Sequence, residues 1–266
     1  RRYGAFSPAT QKAWMLLLEG PYRQGTNGTE KSSIVAARPA LDVKKSGPNA
    51  GLEIPYDPAL IIRAQSLLLE DADKLSASRP YRFDLVDVQR QMMTNLGQLI
   101  HRKAAEAFRS KDREAFTLHS GRFLGMLADM DTLLRTRSEY SFDRWLTEAR
   151  SWGETEEEKN QMERDATSLV TIWGADGDPR IFDYSWREWA GLINGYYLPR
   201  WQKFYTMLQQ HLDEGTSYEE AGLPQIYGRE AFRANDFYHT LAEWELSYVD
   251  TYGKARIPAT EGDEVD

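Results

Sequence analysis

The chain has 266 residues, no cysteine, and a net charge of −8, with 33 Lys and Arg against 41 Asp and Glu. That length can enclose a large core, the missing thiols exclude disulfides, Cys nucleophiles and thiolate metal sites, and an acidic chain without a Lys/Arg cluster is a poor partner for nucleic acid. No apolar run approaches the roughly 18 residues of a membrane-crossing helix. The opening RRYGAF starts without Met and in mid-pattern, so a piece of a longer protein is expected, and the lack of a visible targeting segment carries no address.

The spacing of Trp14, Leu17 and Leu18 predicts a helix from Pro8 to Glu19. Ser7 is its N-cap, Pro8 sits where a missing N–H is harmless, and Gly20-Pro21 stops it. Residues 20–56 lose the helical period and gain Gly, Pro, Asn and Ser, which predicts a loop-rich excursion with a short strand at Ser33–Ala37. Ordered loops of that length are often functional. Asn27-Gly28-Thr29 within it fits a glycosylation sequon, a match that chance readily supplies.

Helix resumes at Asp57-Pro58 and runs to about Leu75. A longer one, from Asp84 to about Phe108, carries the stripe Leu85, Val88, Met92, Leu96 and Leu99. The next covers Arg113 to Arg135 with Phe116, Phe123, Leu124, Leu127 and Leu134 inward, and a shorter one after Ser141 carries Trp145, Leu146 and Trp152. Thr155-x-x-Glu158 is a capping-box pattern opening a helix that ends at Trp173, and Ser185-x-x-Glu188 has the same signature. That second helix runs to about Leu212, with Pro199 expected to kink it and Gly195 to ease the bend. A last helix spans Glu230 to about Tyr252, and the acidic tail 257–266 is expected to be disordered. With no convincing set of strands the fold class is all-α: one domain over residues 1–256, a multi-helix bundle of about eight helices with one long early excursion.

Catalytic patterns are scarce. His101, His119, His211 and His239 have no metal-ligand spacing, and there is neither a phosphate-cradling glycine loop nor a G-x-S-x-G elbow, so no metal and no cofactor is expected. The conspicuous stretch is IWGADGDPRIFDYSWREW, residues 172–189. Its Asp176, Asp178 and Asp183 could form a carboxylate pair, but aspartates in a Gly-Asp-Pro turn serve local backbone bonds more simply, so no catalytic residue is assigned. Trp186 and Trp189 are expected in the core with Tyr196, Tyr197 and Trp201. Trp173, Ile181 and Tyr184 flank the turn itself, and periodicity leaves core and binding surface equally open for them.

The run TIWGADGDPRIFDY followed by AGLINGYYLPRW resembles the C-terminal helical domain of the α-N-acetylglucosaminidases, glycoside hydrolase family 89. Arg1-Arg2-Tyr3-Gly4 with Ala13-Trp14-x-Leu16-Leu17-Leu18, then Arg38-Pro39-x-Leu41, and Tyr81-Arg82-Phe83-Asp84-Leu85-Val86-Asp87 resemble further stretches of it. The likeness therefore covers nearly the whole chain. It implies an exo-acting, retaining glycosidase that removes terminal α-linked N-acetylglucosamine from glycans. Both catalytic glutamates would lie upstream, in a (β/α)8 barrel that this domain packs against. It further implies that substrate-contacting Trp, Ile and Tyr fall on Trp173, Ile181 and Tyr184, although the turn is one residue longer than in lysosomal members and places Asp178-Pro179-Arg180 before Ile181. An exported, bacterial protein is the implied setting, which the absence of Cys suits. The alternative is a stand-alone carbohydrate-binding or protein-interaction helical module.

Overall fold

The computed structural model describes residues 3–23, 32–47, 50–173, 182–218 and 236–251. Among them the fold is all-α: α1 (Pro8–Glu19), α2 (Ala59–Leu69), α3 (Ala72–Leu75), α4 (Arg79–Arg109), α5 (Arg113–Arg135), α6 (Phe142–Arg150), α7 (Glu156–Val170), α8 (Leu198–Glu214) and α9 (Asp236–Val249). One antiparallel ribbon interrupts the excursion, β1 (Lys45–Ser46) with β2 (Ala50–Gly51), pairing Lys45 with Gly51. The long helices α4 and α5 lie along one another, α1 rests on α2, α6 on α7, and α8 against α5.

Local signals set most helix starts. The Ser7 hydroxyl accepts from the Ala9 N–H at 3.1 Å, Asp112 from Ala115 at 3.0 Å, and Ser141 from Arg144 at 3.1 Å. Thr155 and Glu158 form the reciprocal capping box that the sequence indicates. The helix expected over 57–75 breaks into α2 and α3 because Asp71 leaves the helical region (φ −102, ψ 9) and takes the Ser7 hydroxyl, tying that corner to α1. α4 begins earlier than expected, at Arg79 with Pro80 in its first turn.

Among the described residues two large apolar clusters form most of the core, with two small ones beside them. The smaller of the large pair gathers Leu17, Ile61, Leu68, Tyr81 and Leu85 from α1, α2 and the start of α4. The larger is built on Phe123, Trp201, Phe204, Tyr205 and Leu208. The expected stripe along α4 holds only for its first turns, since Leu96 and Leu99 are exposed. Further along, Gly97, Ala104 and Ala105 face inward instead. A Cβ on Gly97 would stand 2.9 Å from the end of the Met126 side chain and 3.2 Å from Ile34 Cγ2, so any larger residue there requires these side chains to shift. Leu18 and Trp152 are likewise exposed, while Leu17 and Leu146 are buried as expected.

The strand expected at Ser33–Ala37 is instead a buried turn: Ile34, Val35, Ala36 and Ala37 are all sealed in the core. Without a neighbouring strand its carbonyls need other donors. Trp201 Nε1 donates to Val35 O at 3.3 Å and Arg200 Nη2 to Ala36 O at 2.8 Å. The capping box expected at Ser185 is also absent. Residues 185–189 are irregular, and Glu188 turns inward to pair with Arg90 and to accept from Thr94 at 2.7 Å. A π-helical turn, Ile193–Tyr197, leads into α8 and puts Pro199 in the first turn, where it breaks no ladder. Trp186 and Trp189 are only partly buried, whereas Tyr196, Tyr197 and Trp201 are fully so. Ile181, Asp176, Asp178, the Asn27 sequon, the start of the expected last helix and the tail 257–266 lie outside the described residues.

His101 is buried in the larger cluster, its ring centroid 4.8 Å from that of Trp201 and its Nδ1 2.8 Å from Tyr205 Oη. Burial pushes its pKa down to about 4, against weaker opposing pulls from the Ala40 and Leu41 backbone. The unfolded chain protonates this ring near the ordinary histidine value of 6.5, so the unfolded state binds more protons between those two values. Stability from neutral His101 is therefore full above about pH 6.5 and lost as pH falls towards 4, by about 3 kcal/mol. Urea unfolding at pH 7.5 and 4.5 should show an acid loss smaller by about that amount in His101→Gln than in the wild type.

Candidate functional site

The turn after α7 is built on two strained residues. Trp173 has φ +42 and Asp183 φ +57, a region that costs an L-residue about 1–2 kcal/mol. Trp173 is held there by its N–H bond to Ser168 O at 2.7 Å, and Asp183 by its N–H bond to Thr171 O at 2.8 Å. The second bond ties the two limbs of the turn together. Ile172 and Phe182 point inward, packing with Ala242 and Val249 of α9. Their neighbours go the other way: Trp173 is partly buried and Tyr184 is 44% exposed. The two rings meet with centroids 4.9 Å apart and planes at 60°. Of the three turn residues singled out in the sequence, Trp173 and Tyr184 are thus brought together at the surface.

Below them lies a buried ionic cluster that sequence reading missed. Arg200 Nη1 binds Asp183 Oδ2 and Glu245 Oε1, each at 2.9 Å. Arg38 Nη2 binds Glu245 Oε2 at 2.7 Å, and its guanidinium lies 4.1 Å from the centre of the Phe182 ring. All four charged side chains are fully buried, and their charges cancel. Burial raises the Asp183 pKa to about 6, opposed by Arg200 and reinforced by Glu245, so the carboxylate is ionised at neutral pH. Burial works against the Arg200 charge as well, but Asp183, Tyr196 and Glu245 outweigh it and hold the pKa above the ordinary arginine value. Sealed and paired, Asp183 is a structural anion with no access to a substrate. The available signal was Arg200 itself, a charge inside the otherwise apolar and aromatic run YYLPRW.

The excursion presses on the same turn. Gly47 has φ +68, and a Cβ there would lie 2.8 Å from the Asp183 carbonyl oxygen. On the other side, Tyr184 opens onto a depression shared with Tyr140, Trp186, Arg187, Arg90 and Glu188. Tyr140 Oη donates to Asp87 at 2.7 Å, and Arg90 bridges Asp87 and Glu188. Burial disfavours the Arg90 charge, yet Glu188 and Asp87 more than offset this and raise its pKa. Among the described residues no group of three or more His, Cys, Asp or Glu could hold a metal ion.

Residues 1–265 match the family described as the alpha-N-acetylglucosaminidase (NAGLU) C-terminal domain. The chain belongs to this family. Within the NAGLU family, it is 32% identical over 225 residues to alpha-N-acetylglucosaminidase from Homo sapiens, an alignment that covers 83% of this chain and 29% of that protein. Its fold is similar to that of the family 89 glycoside hydrolase from Clostridium perfringens, both in complex with 2-acetamido-1,2-dideoxynojirmycin and, as a doubly substituted variant, in complex with its substrate GlcNAc-alpha-1,4-galactose. Each likeness has a TM-score of 0.84 at 25% identity and covers 98% of this chain but 28% of the other. The chain thus spans less than a third of the length of these relatives, and the family-level resemblance drawn from the sequence is confirmed.

Removing the central cation tests the ionic cluster. Arg200→Met leaves Asp183 buried without its partner and strips the Ala36 carbonyl of its donor, so urea unfolding is expected to show a loss of about 3–5 kcal/mol. Gly47→Ala should cost about 1–3 kcal/mol in the same assay, through positive φ and the collision with Asp183.

Proposed function

We propose that this domain forms one wall of the sugar pocket of an exo-acting, retaining α-N-acetylglucosaminidase. The enzyme would remove terminal α-linked N-acetylglucosamine from glycans, with both catalytic glutamates supplied by a (β/α)8 barrel of the same protein against which the domain packs. Family membership supports the activity, and the substrate of the Clostridium perfringens relative supports the sugar. The observation that carries the local role is the Trp173–Tyr184 ring pair, presented outward on a turn locked from beneath.

The chemistry suits the ligand. A pyranose offers apolar C–H faces that stack on an indole, and a phenol hydroxyl can bond a ring hydroxyl. The N-acetyl methyl needs an apolar contact, the role this reading gives Ile181. Because positive φ at Trp173 and Asp183 is enforced by the fold, the rings are aimed before substrate arrives and little ordering entropy remains to be lost. Asp183, the one described aspartate of the turn, is sealed in its ion pair, which agrees with the carboxylates of the reaction coming from elsewhere. None of the described helices is long and apolar enough to cross a membrane, and an exported enzyme is the setting that the resemblance implies.

In the barrel-containing enzyme, Trp173→Ala and Tyr184→Ala are each expected to lower kcat/KM on an aryl α-N-acetylglucosaminide by about 5- to 150-fold, or about 1–3 kcal/mol, without shifting the unfolding midpoint. Unchanged kinetics would remove these residues from the pocket. The isolated 266-residue domain is expected to hydrolyse nothing. Millimolar or tighter binding of N-acetylglucosamine by it would favour a self-contained sugar-binding module instead.

A further inference from the structure

Next to the depression under Tyr184 lies a second cavity of about 250 Å³, walled by residues 52–56, one face of α4, Trp186 and Glu188. The two hollows share Arg90, Trp186 and Glu188, so they adjoin one another along these three residues. A pocket for one terminal sugar does not account for this second space. Its lining offers an indole, a phenol and side-chain amides, groups that bind pyranose rings through stacking and neutral hydrogen bonds.

These groups are fixed in place. Gln91 donates to Asn95 at 3.1 Å, Asn95 donates to Tyr56 Oη at 3.1 Å, and Gln98 donates to Leu52 O at 2.8 Å, pinning the 52–56 segment to α4. The charge balance is equally definite. Arg90 is the only basic residue in the described lining of this second cavity, and Glu188 and Asp87 both pair with it, while Arg187 lines the adjoining depression and donates to the Ser185 and Trp186 carbonyls. Glu53 adds a further carboxylate. A sulfate ester or uronate placed there would meet net negative charge with the single guanidinium already matched.

We propose that this cavity binds a neutral sugar unit on the leaving-group side of the scissile bond and thereby favours uncharged glycans over uronate- or sulfate-bearing ones. This rests on the reading of Tyr184 as a wall of the terminal-sugar pocket, and the test separates the two.

The experiment uses the barrel-containing enzyme and three substrates: an aryl α-N-acetylglucosaminide, GlcNAc-α-1,4-galactose extended at its reducing end by a neutral hexose, and the same oligosaccharide with a uronate in place of the galactose. Gln91→Ala is expected to lower kcat/KM on the neutral oligosaccharide by about tenfold or more, with the aryl glycoside changed by less than about twofold. Tyr56→Phe, which removes only a hydroxyl, should act in the same direction and serves if Gln91→Ala folds poorly. The wild type should prefer the neutral oligosaccharide over the uronate-bearing one by about tenfold or more. Equal effects of Gln91→Ala on both neutral substrates, no effect on either, or no preference against the uronate would overturn the subsite. Tyr184→Ala lowering both neutral substrates while Gln91→Ala lowers neither would sink the subsite alone. No loss on either in Tyr184→Ala would sink the pocket-wall reading.

Discussion

The guanidinium of Arg200 ties together four parts of the chain that are distant in sequence. From α8 it reaches the turn at Asp183, the last described helix at Glu245, and the backbone of the early excursion at Ala36 and Ala37. A fully buried cation must find its counter-charges and acceptors or the fold that buries it is not stable. Here the turn, the excursion and both helices meet at the two Nη atoms of this one side chain. Apolar residues of equal volume could give similar net stability, because desolvation consumes much of a buried ion pair's attraction. They would not specify where the turn must sit. The cluster is best understood as fixing geometry, with Arg38 completing charge neutrality and covering the Phe182 ring.

That geometry depends on the rotation of α8. The π-helical turn at Ile193–Tyr197 takes one residue more per hydrogen bond than an α-helix. One added residue rotates everything beyond it by about 100°. Tyr196, Tyr197, Arg200 and Trp201 all end on the buried side. Gly195 accommodates this, since even a Cβ would come within 3.1 Å of Tyr248 Oη. Pro199 cannot donate a backbone bond, and a wide turn immediately before it relieves the ladder of that need. Sequence reading found the proline and the glycine but expected a kinked helix from Ser185. The structure resolves the same two residues as a helix start.

What was legible in the sequence was what neighbours decide. Ser7, Ser141 and the Thr155–Glu158 pair cap helices because each acts on backbone three or so residues away. Ser185 and Glu188 show the same pattern and fail, because Glu188 is claimed by Ser33 and Arg90, which are 155 and 98 positions distant. The apolar run Ile34–Ala37 reads as a strand until Trp201 and Arg200 are known to supply its donors. Leu96 and Leu99 were expected inside by periodicity, but packing against α5 selects small residues such as Gly97. At the site, the gathering of aromatic rings was visible from composition. Their split into Ile172 and Phe182 inward, Trp173 and Tyr184 outward follows from two positive φ angles that no period encodes.

The division of labour in the proposed enzyme follows from these constraints. A carboxylate that works by proton transfer or attack has to reach its substrate, and Asp183 has exchanged that access for an ion pair. What the turn retains is shape: two rings at a fixed angle, on strained backbone, over a rigid charged floor. In the proposed role such a surface would hold one sugar in register while a partner body performs the chemistry, without closing loops or ordering side chains at the moment of binding. A rigid wall also limits what fits. It can contact a terminal residue from one side and leave the chain to continue along the hollows beside Tyr184, where Arg90 is already neutralised by Glu188 and Asp87. In that reading, fixed aim at the terminal sugar and a matched Arg90 beside it would be two consequences of one arrangement: the guanidiniums under the turn and at the head of the adjoining cavity are held in ion pairs, while Arg187 stays exposed at the rim.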